Sequence, residues 1–153
     1  MRILVQVFSF LIFLSLTTNI HALEHVSLLK KSVQEWNQWR KQNPKVIPNL
    51  RGANLQKANL RGAGLQGANL KGAILTEANF QGAYLNEAEF HFTHLQNVNL
   101  EGTDLQEAEH LTCNQINSVK SLNKETKFPD NLEVKITGKN KWTGKEVKKE
   151  NDK

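Results

Sequence analysis

Between residues 50 and 110 a large side chain, apolar in all but the last unit, recurs at every fifth position. The column runs through Leu55, Leu60, Leu65, Leu70, Leu75, Phe80, Leu85, Phe90, Leu95, Leu100 and Leu105, and reaches His110 as its one polar member. Two positions earlier stands a small residue: Ala in nine units, Thr93 and Thr103 in two, and Val98 in one. A sustained period of five fits neither the 3.6 of a helix nor the 2 of a strand. It does fit a short extended tread followed by a bend. In Ala-x-Leu the first and third side chains share a face, because alternate residues of an extended chain point the same way. The remaining two residues turn a corner, and Gly52, Gly62, Gly67, Gly72, Gly82 and Gly102 all occupy the second corner position. One tread cannot bury itself. Stacked coils bury the Ala and Leu columns together, so the pattern predicts an all-β solenoid.

The motifs Ala53-Asn54-Leu55, Ala58-Asn59-Leu60, Ala68-Asn69-Leu70 and Ala78-Asn79-Phe80 resemble the signature of the pentapeptide-repeat family. That resemblance implies a right-handed quadrilateral β-helix with four units per coil, hence about three coils here. Outward-position identities are weaker at offset fifteen than at ten or twenty, which disfavours three sides but does not choose four. With four sides, Asn59, Asn79 and Asn99 form a column in which side chains are expected to bond to one another. Lys57 then lies against Glu77, and Arg61, Gln81 and Glu101 form another column. Thr93, Val98 and Thr103 are expected to widen the third coil slightly. Gly64 only removes an outward side chain, and no consequence is expected of it.

The flanks read as covers for strand edges that would otherwise invite aggregation. Residues 23–49 form an N-terminal cap and lead-in. Residues 24–41 predict one amphipathic helix with Val26, Leu29, Val33 and Trp36 on a stripe, stopped by Pro44 and Pro48. The run Trp36-Asn37-Gln38-Trp39-Arg40 is similar to the lead-in of some bacterial members of the family. Residues 111–132 form a C-terminal cap, with a short helix over 115–122, Thr112 or Asn114 as N-cap, Ile116 and Val119 facing inward, and irregular chain from Thr126. Residues 133–153 are a marginal hairpin turning back through Trp142, or a basic tail disordered from Gly144 onward.

Ahead of the cap, Met1-Arg2, the apolar run Ile3–Leu16 and the polar stretch ending at Ala22 follow the order of a secretory signal, residues 1–22. An apolar core of roughly 14 residues is short of the ~20 needed to span a bilayer. The expectation is export to the periplasm or beyond, from a Gram-negative bacterium, with cleavage after Ala22. The chain then carries a net +4, divided as +3 over residues 23–50, −3 over 51–110 and +4 over 111–153. Cys113 is the single cysteine, so no internal disulfide can form, and a buried, inert thiol is expected.

Catalytic motifs are missing: the chain has no phosphate-binding glycine loop, no paired-cysteine metal spacing and no nucleophile elbow. The repeat acids lie on a convex outer face, where no closed pocket tunes their acidity. No enzyme activity and no cofactor are expected. His91 and His94 come nearest to a metal pair, but no third ligand can be named, so no metal is expected. Ile74, His91, Phe92 and His94 converge on one side as an exposed candidate partner patch, with Tyr84 opposite. The leading reading is therefore a non-enzymatic binding or structural module whose partner is a protein. Its outward charge is polarised along the stack, four bases over residues 51–71 and seven acids over 77–109, which could orient that partner. An alternative is a secreted factor meeting a host protein or membrane through its basic tail. Some long members of the family mimic DNA and bind topoisomerases, but the short stack, the basic chain and the signal argue against that here.

Overall fold

The structure, a computed structural model, describes residues 22–138 and 141–147. The expected signal segment up to residue 21 and the expected tail from 148 lie outside the described residues.

The chain enters through two helices rather than one. Residues 22–31 (α1) and Val33–Gln42 (α2) are separated by Ser32, whose backbone is extended. Its Oγ accepts the Glu35 amide at 3.2 Å, so a serine inside the apolar stripe has become an N-cap. Leu29 and Trp36 are buried while Val26 and Val33 are only partly so. Asn43 closes α2 ahead of Pro44.

From Asn49 the chain is a β-solenoid. Its treads are too short for continuous strands, and each contributes a single residue that forms parallel bridges. Asn49 pairs with Asn69, Asn54 with Ile74, Asn59 with Asn79 and Gly64 with Tyr84, and the twenty-residue step repeats to Glu89 and Glu109. Backbone bonds serve each step from both sides: Leu50 N donates to the Asn69 carbonyl at 2.9 Å, and Asn69 N donates to the Pro48 carbonyl at 2.9 Å. Leu55 through Leu105 of the large column expose at most 1% of their surface. Each such burial contributes roughly 1.5–3 kcal/mol, and the summed columns hold the coil together.

The corners explain the rest of the motif. The amide three residues after each tread folds back onto the large residue's carbonyl, as Ala53 N does to Leu50 O at 3.0 Å. The second corner residue takes a φ of +57° to +67° in all twelve corners, the left-handed conformation of a type II turn. Six of these are glycine; the other six are Lys57, Glu77, Glu87, Phe92, Asn97 and Glu107. Among the described residues, no side chain of the column Asn59, Asn79 and Asn99 bonds to the next Asn as expected, and the one bond up the stack there runs from Ser121 Oγ to Asn99 Oδ1 at 2.9 Å. Asn79 and Asn99, like Asn54 and Asn69 in other columns, accept the amide two residues on, at 2.9–3.1 Å, and so close their own corners locally. The two threonines in the small column bond across coils: Thr93 Oγ1 donates to Leu70 O at 2.8 Å and Thr103 Oγ1 to Phe80 O at 2.9 Å.

Both ends are covered. At the first coil, Trp36 Nε1 donates to Gly64 O at 2.8 Å, and Asn37 bonds both Gly62 O and Gly64 N at 2.9 and 2.8 Å. The amide of Asn37 thus mimics a neighbouring strand. Gly64 is what lets it approach, since a Cβ there would meet Asn37 Oδ1 at 3.3 Å; the expectation that this glycine is without consequence is corrected. At the other end His110 leaves the interior. It turns at φ +54° and stays exposed, while the next residue, Leu111, is buried in its stead.

Thr112 then caps a helix shorter and earlier than expected, Cys113–Asn117 (α3), through a full capping box with Gln115. Residues 118–127, expected to be helical to 122 and irregular from Thr126, extend the stack: Ser121 bridges Asn99 and Lys127 bridges Asp104. Strands Leu132–Gly138 (β1) and Lys141–Glu146 (β2) form an antiparallel hairpin. Chain order therefore continues past Gly144, where disorder was expected. Trp142 Nε1 donates to Ile116 O at 3.2 Å and ties the hairpin to α3.

Candidate functional site

The residues singled out from sequence gather at one corner near the C-terminal end of the solenoid. Ile74 and His94 are bridge partners on adjacent coils, with Leu75 N bonded to His94 O and His94 N to Ala73 O, both at 3.0 Å. Their side chains therefore stand side by side on the outer face. Phe92 is the most exposed large apolar residue among the described ones, at 73%, and it occupies a left-handed corner at φ +57°. A bulky residue in that region of backbone is strained, so Phe92 is both costly to hold and open to solvent. Its ring lies against His91 at a centroid distance of 4.0 Å.

A surface groove of about 620 Å³ opens here, lined by His91, Phe92, Thr93, His94, His110, Thr112 and Gln115. Ile74 flanks it through His94 rather than lining it. The groove floor is fixed by Gln115, whose Nε2 donates to the carbonyls of Phe90 and Thr93, both at 2.9 Å. Tyr84, 52% exposed, faces a different groove beside Asn37 and Arg40 at the N-terminal cap.

Two members of this corner escaped the sequence reading. His91 is joined by Glu89 and His110, not by His94, in a three-residue group whose ligating atoms lie within 4.8 Å of one another. The twenty-residue step carries Glu89 to Glu109 and so sets His110 beside Phe90; the outward turn of His110 at φ +54° then brings its ring to His91. Elsewhere, burial lowers the Arg40 guanidinium from its ordinary value. Cys113 is half-buried rather than buried, and its thiol is raised from its ordinary 9.0 by desolvation and then by the Glu146 carboxylate.

A family profile described as pentapeptide repeats (8 copies) matches residues 49–76 and 73–109. Over that stretch the chain belongs to the pentapeptide-repeat family. Its repeats are similar to those of several solved proteins. QnrB1, a plasmid-mediated fluoroquinolone resistance protein, in a trypsin-treated form, is 30% identical over 54% of this chain and 38% of its own, with a TM-score of 0.45. Rfr23, a pentapeptide-repeat protein from the cyanobacterium Cyanothece, is 29% identical over 52% of this chain and 56% of its own, with a TM-score of 0.29. A pentapeptide-repeat protein of the Arabidopsis thaliana thylakoid lumen is 24% identical over 57% and 64%, with a TM-score of 0.24. The chain thus spans less than two thirds of each of these proteins. No curated protein matches it. Among the described residues, no helix is long and apolar enough to cross a membrane.

Proposed function

We propose that this pentapeptide-repeat protein is an exported, non-enzymatic binding module that engages a protein partner through the corner at Ile74, His91, Phe92 and His94. The reading takes the coil as right-handed and four-sided, with about three turns, on the strength of the twenty-residue pairing and the family resemblance. Phe92 carries the proposal. A solvated phenylalanine in left-handed backbone sacrifices stability that glycine would restore, and such strain gathers at functional positions. Aromatic anchors are also the residues that concentrate binding energy at interfaces. The interior is filled by Leu, Phe and Ala side chains, so a partner would meet the outer surface. Export rests on the charged, apolar and small-residue order of residues 1–22.

The test is affinity capture from an envelope fraction with the chain starting at Leu23, compared with a Phe92→Ala, Ile74→Ala variant of unchanged circular dichroism. The captured protein is then purified and its Kd measured for both forms. A loss of at least about tenfold, the 1.4 kcal/mol that one modest anchor supplies, is expected. Equal binding by the two forms would overturn the assignment of the patch.

A further inference from the structure

We infer that Glu89, His91 and His110 form a binding site for a zinc-class divalent cation, with a fourth coordination position left to water. The three ligating atoms already lie within 4.8 Å of one another. Glu89 Oε1 stands 3.0 Å from His110 Nδ1 and also accepts the His91 amide at 2.9 Å. The His91 and His110 rings are stacked, with centroids 5.0 Å apart and planes 25° from parallel.

The repeat architecture builds this arrangement from three separate devices. Glu89 occupies the slot where other units place Asn or Asp, so the bond that closes its corner also pins the carboxylate. His91 follows at the first corner position, and Phe92 packs against its ring at 4.0 Å. His110 turns out of the interior at φ +54° and so brings its imidazole onto His91 from the coil above. Glu89 and His91 are half-buried and His110 is exposed, which leaves an approach from the groove of about 620 Å³ alongside.

Two imidazoles and one carboxylate suit zinc, and by affinity order nickel and copper(II), better than calcium or magnesium, which take oxygen ligands. Zinc bonds of ~2.0–2.1 Å in a tetrahedron put ligand atoms roughly 3.3 Å apart. The Glu89–His110 pair already meets that spacing, and rotation of the exposed His110 and of His91 about their own side-chain bonds closes the rest. Each imidazole binds through an unprotonated nitrogen, so His110 surrenders its hydrogen bond to Glu89 and both become ligands. The ion would then clamp the start of the C-terminal cap to the last full coil. This site stands independently of the partner reading, although His91 serves both.

The test is calorimetric titration of the full, untagged chain with zinc chloride, with magnesium chloride as control. Melting curves and the visible bands of four-coordinate cobalt(II) are recorded alongside. The account expects one zinc per chain, no competing magnesium, and a melting temperature that rises with zinc as mass action requires. His110→Asn, which tolerates the left-handed backbone, and His91→Gln should each weaken zinc by at least about tenfold. His94→Gln should bind as the parent does. Zinc affinity unchanged in His110→Asn and His91→Gln, or lost equally in His94→Gln, would overturn the site; so would magnesium binding as tightly as zinc.

Discussion

Trp36 and Gly64 meet across 28 residues of sequence, the indole Nε1 donating to the glycine carbonyl at 2.8 Å. The indole is fully buried, so its loss leaves a carbonyl at the open edge of the first coil without its donor. Trp36→Phe is expected to cost about 1–3 kcal/mol in urea unfolding. Gly64→Asn would restore the residue common at that slot, yet it should destabilise as well, because its Cβ would stand 3.3 Å from Asn37 Oδ1 and press on the oxygen that accepts the Gly64 amide. A neutral Gly64→Asn would mean that α2 does not seal this edge.

The corner backbone predicts opposite outcomes at neighbouring sites. Gly62 takes φ +63°, and Gly62→Ala is expected to cost ~1 kcal/mol, since L-residues pay about 1–2 kcal/mol in that conformation. Glu87→Gly and Phe92→Gly relieve the same strain and should gain about 0.5–1 kcal/mol after the glycine entropy cost. Thermal melts of the three variants check this. A Phe92→Gly form that is more stable but binds its partner worse would display the exchange of stability for function.

Thr103 is buried where most units have alanine, and its hydroxyl reaches Phe80 O at 2.9 Å. Thr103→Val keeps the shape and removes the bond. Chemical denaturation should register a loss of about 0.5–1.5 kcal/mol; no loss would mean that the hydroxyl only fills space.

Cys113 links pH to the C-terminal cap. Its thiol is raised above the ordinary 9.0 by desolvation first and Glu146 second. A raised folded value means the folded state holds the proton more tightly. The thiol's contribution to stability is therefore complete below pH 9.0 and is lost as pH climbs through the folded value. Alkylation at mildly alkaline pH should be slower in the native protein than in urea, and faster in Glu146→Gln than in the parent. Equal native and denatured rates would show the thiol unshielded.

The columns could be read in the sequence because burial imposes periodicity: Leu55 to Leu105 announce themselves by spacing alone. What stayed hidden depended on single local bonds that leave no period. Ser32 capping a second helix, Asn79 closing its own corner and Asn37 standing in for a strand are all of this kind. His110 was visible as a breach in the column. Its outward turn was not, because a one-residue slip that buries Leu111 instead costs little where the stack ends. The candidate patch was legible as a list of outward residues. The Glu89–His91–His110 group required both the step between coils, which the sequence alone did not choose, and the outward turn of His110.

That step is the claim on which everything else rests, and through-hydrogen-bond scalar couplings measure it directly. The amides of Leu55, Leu65 and Leu75 should couple to the carbonyl carbons of Ile74, Tyr84 and His94, nineteen residues ahead, matching bonds of 2.8, 2.8 and 3.0 Å. Couplings to carbonyls fourteen residues ahead would make the coil three-sided, and couplings four residues back would make the segment helical. Either result would contradict the account.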